Sequence, residues 1–132
     1  MSTKMYFIFV NNDIEESQIF ASALHQADAK KNLIVIPNGF ELIQFLQDVK
    51  RGDSYPDLII LTPKFLRLNG MDLLGLLKTD DFYRLIPVVM LLPEKNNSHE
   101  DICNKLGTTH MPSPKSQIEC MSAVNKMCMV CF

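Results

Sequence analysis

Apolar residues fall along this 132-residue chain in two alternating rhythms. Five runs are short and nearly continuous, at 5–10, 33–36, 58–61 and 88–92, with a weaker one near 108–111. They are rich in Val, Ile, Phe and Leu, as in Tyr6-Phe7-Ile8-Phe9-Val10 and Leu58-Ile59-Ile60-Leu61. Such runs suit strands buried on both faces, as in a parallel sheet. Between them the spacing changes to three and four. Phe20, Ala23, Leu24 and Ala27 share one helical face, as do Leu42, Ile43, Leu46 and Val49, and Leu73, Leu74 and Leu77. Asp13 with Glu16, and Asn38 with Glu41, have the spacing of capping boxes. Ser113-Pro114 reads as a helix N-cap followed by proline at the first helical position.

Alternating strands and helices of this length predict an α/β fold, a three-layer sandwich around a doubly wound parallel sheet. The expected sheet has five strands in the order 2-1-3-4-5. Its crevice should lie beyond the C-terminal ends of strands 1 and 3, at Asn11-Asn12-Asp13 and Thr62-Pro63-Lys64. The chain is read as one domain over residues 1–132, with no linker and no output domain.

Composition narrows the function classes. Hydrophobic residues make up 47% and charged residues 21%, as in ordinary globular proteins. A net charge of −2 leaves no electrostatic footprint for nucleic acid or an anionic membrane. No apolar run is long enough to span a bilayer, and residues 1–6 lack the regions of a signal peptide, so the cytoplasm is the expected compartment. Of the four cysteines, Cys120, Cys128 and Cys131 crowd the C-terminus, which is poor spacing for a disulfide framework. Cys128 and Cys131 form Cys-x-x-Cys. They also share a helical face with Met121 and Val124, so packing accounts for them without metal or redox chemistry. His25, His99 and His110 have no ligand spacing, and Glu94, Lys95, Glu100, Asp101 and Lys105 are expected to form a solvated face around the fourth helix.

The run Pro56-Asp57-Leu58-Ile59-Ile60-Leu61-Thr62, followed by Gly70-Met71-Asp72, resembles the phosphoacceptor strand and loop of a response-regulator receiver domain of the CheY-like family. The likeness covers nearly the whole chain and is strongest from Pro56 to Pro93. In that family the third strand ends in an aspartate that accepts a phosphoryl group from a histidine kinase, and an acidic cluster after the first strand holds Mg²⁺. Here Thr62 stands at the phosphoacceptor position, and Asn11 and Asn12 replace acidic residues beside Asp13. Leu92 falls where the family has its switch Thr or Ser. The family's Lys-Pro maps to Ser113-Pro114 or to Pro114-Lys115, and neither places a lysine before the proline. The family's cis bond at that proline leaves cis and trans both open for Ser113-Pro114.

These departures imply a degenerate, stand-alone receiver. No metal, no cofactor and no enzymatic activity are expected, because Asn11, Asn12 and Thr62 supply neutral oxygens where Mg²⁺ prefers carboxylates, and little remains to neutralise a transferring phosphoryl group. A lone threonine hydroxyl without an activating base is a weak nucleophile, so Thr62 is expected to satisfy nearby backbone groups. The resemblance implies signalling proteins as partners, a histidine kinase or another pathway component, and a possible homodimer through the face of helix 4, strand 5 and helix 5. Two alternatives stay open: a working phosphoacceptor receiver, and a small-ligand module of flavodoxin-like fold. The second lacks a phosphate loop after the first strand, where Asn11-Asn12-Asp13-Ile14-Glu15-Glu16 stands instead.

Overall fold

The computed structural model describes residues 6–49, 54–63, 69–93 and 97–130. Five strands, β1 (Tyr6–Val10), β2 (Asn32–Ile36), β3 (Leu58–Leu61), β4 (Val88–Leu92) and β5 (Thr109–Pro112), alternate with five helices. The helices are α1 (Ile14–Ala27), α2 (Gly39–Val49), α3 (Gly70–Thr79), α4 (Asn97–Lys105) and α5 (Gln117–Val130). All strand pairs are parallel and their order is β2-β1-β3-β4-β5, as the sequence predicts. A short 3-10 turn, Tyr83–Leu85, precedes β4 and was not anticipated.

The strand pleat explains the layers. Tyr6, Ile8 and Val10 point to one face and pack with Leu42, Leu46, Leu73, Leu77 and Cys103 from α2, α3 and α4. Phe7 and Phe9 point to the other and pack with Phe20, Leu24, Cys120, Val124 and Met127 from α1 and α5. The central strands β1, β3 and β4 are therefore buried at every residue. The outer strands β2 and β5 are not.

Local capping chemistry starts the helices. Asp13 accepts from the Glu16 N–H at 3.1 Å, and Asn38 accepts from the Glu41 N–H at 2.9 Å, as their spacing predicts. Asn69 and Asp72 form a full capping box at the start of α3 that the sequence reading did not identify. The expectation for α5 is corrected. Ser113 is not its N-cap; its N–H donates to the Leu92 carbonyl at 3.0 Å and continues the β4–β5 ladder. Ser116 caps α5 instead, accepting from the Glu119 N–H at 3.1 Å, while Glu119 reaches back to the Lys115 N–H at 3.2 Å. No described peptide bond is cis, so Ser113-Pro114 is trans. Glu94, Lys95 and Cys131 lie outside the described residues.

Candidate functional site: a neutral crevice

The strand order reverses between β1 and β3, so their C-terminal ends frame the crevice of the fold. Pairing of Phe9 with Ile60 carries forward to set Asn11 across from Thr62, just past the two strand ends. Pairing of Leu61 with Met90, and of Leu92 with Pro112, brings the C-terminal ends of β4 and β5 alongside. Asn11, Thr62, Leu92 and Ser113 thus stand at the ends of four adjacent strands, while Asn12 and Asp13 lie exposed in the turn into α1.

Asn11 is buried and acts as a donor. Its main-chain N–H bonds the Ile36 carbonyl at 2.9 Å. Its side-chain amide nitrogen lies 3.1 Å from Glu16 Oε1, 3.3 Å from Ser17 Oγ and 3.3 Å from the Asp13 carbonyl. The amide therefore fastens the first turn of α1 to the end of β1. A carboxylate of the same shape has no hydrogen to give and would face Glu16 with like charge. Glu16 and Ser17 belong to the site, yet the sequence reading placed Glu16 only in a cap and passed over Ser17. Their signal was the helical step from Asp13, which turns both back toward the strand end.

Thr62 is 5% exposed, and its hydroxyl has no hydrogen-bond partner among the described residues. The expectation that it satisfies local backbone groups is not met. Gly70 explains how closely the chain is drawn in beside it: a Cβ built there would overlap the Thr62 carbonyl oxygen, so only glycine lets α3 start against the end of β3. Leu92 is 7% exposed and brings an apolar side chain to the end of β4. Behind the crevice, burial and then the Glu16 carboxylate push the Cys120 thiol up to about 11.

This donor set does not suit Mg²⁺. Asp13 already spends an oxygen on the Glu16 N–H, Glu16 takes the Asn11 amide, and Asn11 presents its nitrogen to them. Among the described residues no three His, Cys, Asp or Glu side chains gather as a metal site. The cleft that Asn11, Asn12 and Asp13 do line, about 440 Å³, opens toward β2, with Ile14, Ala21, Val35 and Pro37 as walls and Thr62 outside its lining.

The opposite end of the sheet holds the charge. Lys31, whose side chain is 1% exposed, places Nζ 3.3 Å from Asp57 Oδ2 and 5.2 Å from the centroid of the Phe7 ring. Tyr6 donates its hydroxyl to the Ser54 carbonyl at 2.6 Å, and burial, then the Asp57 charge, raises its pKa. The sequence reading did not foresee this pair, which joins residues 26 positions apart.

Comparison with solved structures places the architecture. The cyanobacterial phytochrome response regulator RcpA, in phosphorylated form, superimposes with a TM-score of 0.82 at 19% identity over 96% of this chain and 91% of its own. The Mn²⁺-bound response regulator Rcp1 gives 0.80 at 19% identity, over 93% of this chain and 91% of its own. The chemotaxis protein CheY4 of Vibrio cholerae gives 0.71 at 16% identity, over 95% and 98%. The fold is that of a response-regulator receiver domain. No family model and no curated protein matches the chain. At these identities the shared receiver architecture is what the likeness carries; the chemistry at the strand ends is this chain's own. Among the described residues no helix is long and apolar enough to cross a membrane.

Proposed function

We propose that this chain is a degenerate receiver that works by phosphorylation-independent contact with a protein partner in a two-component signalling pathway. The observation that carries this reading is the direction of the Asn11 amide. A receiver that gathers Mg²⁺ needs acceptor oxygens aimed into the crevice. Asn11 instead donates to Glu16 and Ser17. The acidic pocket is replaced by a hydrogen-bonded joint between β1 and α1, and Thr62, Leu92 and Ser113 add neither carboxylate nor cation. The solved neighbours include one Mn²⁺-bound and one phosphorylated protein, and the receiver resemblance ties both states to carboxylates for which this chain has Asn11, Asn12 and Thr62. The partner is then a histidine kinase or another pathway component, met by a surface rather than by phosphoryl chemistry. The face of α4, β5 and α5 is the surface that the receiver resemblance nominates, and the cytoplasm is the matching compartment. The chain has no catalytic activity of its own on this reading.

The test is direct. Incubation with acetyl phosphate and Mg²⁺ should add no phosphoryl mass, and low-millimolar Mg²⁺ should produce no saturable shifts at Asn11, Asn12 or Thr62. Thr62→Asp alone should also fail to take phosphate, whereas Asn11→Asp, Asn12→Asp and Thr62→Asp together should recover Mg²⁺ binding. Ready phosphorylation of the wild type, or of the single Thr62→Asp variant, would overturn the proposal in favour of a working receiver.

A further inference from the structure

The two outer strands of the sheet end it in different ways. On β5, the Ser113 N–H turns inward to Leu92, so Ser113 and Met111 face β4 and the intervening Pro112 faces outward. Proline has no N–H, and this edge therefore offers no donor at that position. On β2, the Ile36 carbonyl turns inward to accept the Asn11 N–H. Alternation then turns Ile34 and Asn32 inward as well, and Leu33 and Val35 direct both N–H and C=O to the open edge. The strand reads Asn-Leu-Ile-Val-Ile, without a charge, a proline or a glycine. A charge or a proline is what usually blunts an edge. Val35 is 41% exposed and forms one wall of the apolar cleft with Ile14, Ala21 and Pro37.

We propose that the β2 edge pairs antiparallel with the β2 edge of a second copy of this chain, joining two sheets across a two-fold axis at Ile34. This goes beyond the signalling reading and does not rest on it. In that register, Leu33 of each copy lies opposite Val35 of the other, and the two residues exchange both main-chain hydrogen bonds. Their side chains meet on the α1 side, and the exposed Val35 is covered by the second copy's Leu33. The two Ile34 residues meet on the α2 side. Aliphatic and β-branched cross-strand pairs of this kind stabilise antiparallel sheets.

Charge favours the same occupant and the same direction. Lys30 lies in the turn before β2 and Asn38 at the start of α2 after it, and pairing about Ile34 brings the Lys30 turn of one copy toward the Asn38 end of the other. The Glu41 carboxylate lies 3.5 Å from the Asn38 amide nitrogen. Both ends of the seam therefore oppose a lysine and a glutamate, and both are exposed. Exposed pairs add little strength, but they select the register in which opposite charges meet.

Sedimentation of the full chain from micromolar to millimolar concentration tests the proposal, read together with amide exchange. The mass should rise from one chain to two, and the outward amides of Leu33 and Val35 should slow by about tenfold or more as it does. Val35→Pro removes only an outward N–H, so it should keep the circular dichroism of the fold and abolish the dimer. Lys30→Glu or Glu41→Lys should each weaken association several-fold, and the two together should restore it; these exposed changes carry the test if the proline variant fails to fold. A single-chain mass up to millimolar concentration would overturn the proposal. So would a dimer that leaves the Leu33 and Val35 amides unprotected and ignores the charge reversals, as one built on the α4, β5 and α5 face would.

Discussion

At the C-terminal end of the sheet, Asn11 and Thr62 bury neutral groups at positions where the receiver resemblance implies carboxylates, and Leu92 brings an apolar side chain beside them. At the N-terminal end, Lys31 and Asp57 bury a charge where no chemistry is expected. The two ends handle polarity differently. The crevice holds an amide that is bonded on several sides and a hydroxyl bonded to nothing described. The far end holds a buried ammonium set beside the Asp57 carboxylate and the face of the Phe7 ring. An ion so placed matters for stability because breaking it strands the survivor. A neutral crevice carries no such penalty, and it removes the repulsion that a cluster of carboxylates stores in the absence of metal.

The largest effect should therefore come from the N-terminal end. Asp57→Ala removes the carboxylate that faces the buried Lys31 ammonium. It should cost about 3 kcal/mol in urea unfolding, toward the lower end for a broken buried pair because Asp57 itself is 31% exposed. Lys31→Met leaves only a partly hydrated carboxylate behind and should cost much less, so the ratio of the two losses measures how far the burden lies on the lysine.

Asn11→Asp attacks the other end. It removes the donor to Glu16 and Ser17 and sets two carboxylates together, at a cost of about 2 kcal/mol at neutral pH. Repulsion raises the folded pKa of such a pair above its unfolded value. The variant's stability relative to wild type should accordingly be highest at acid pH, below the unfolded pKa, and should fall as pH rises through the folded pKa. A variant as stable as wild type at pH 7 would mean that Asn11 is not the joint described here.

The wild type carries its own alkaline marker on that side. Burial, then the Glu16 carboxylate, pushes the Cys120 thiol up to about 11 in the folded chain. The stabilisation from its protonated thiol is complete below pH 9 and is lost as pH rises toward 11. Cys120→Ala should flatten that limb of the stability profile. The smallest effect should have the opposite sign. Thr62→Val keeps the shape and deletes a buried hydroxyl without a partner, so it should be neutral or stabilising by up to ~1 kcal/mol. A loss larger than that would reveal a partner for Thr62.

Much of the architecture was legible because it rests on local rules. Continuous apolar runs mark strands buried on both faces, and three-and-four spacing marks helices on a sheet, so the layered α/β class followed, while crossover geometry only narrowed the strand orders among which 2-1-3-4-5 was expected. The caps at Asp13 and Asn38 were legible for the same reason, since each acts within three residues. The start of α5 was misread because Ser113 and Ser116 both look like caps, and the choice went to the one whose N–H the β4 edge did not need.

By itself, the order of residues determined the element sequence, the parallel sheet and the uncharged side chains at positions 11, 12, 62, 92 and 113, because periodicity and residue identity are properties of the chain alone. Tertiary structure alone decided which way the Asn11 amide turns, that the Thr62 hydroxyl goes unpartnered, and that Lys31 meets Asp57 beside Phe7. It also decided that β2 keeps an open edge while Pro112 removes one outward donor from β5. These outcomes depend on groups brought together from distant positions by packing, and on which side of a strand each main-chain group faces. Neither has a period or a composition from which it can be read.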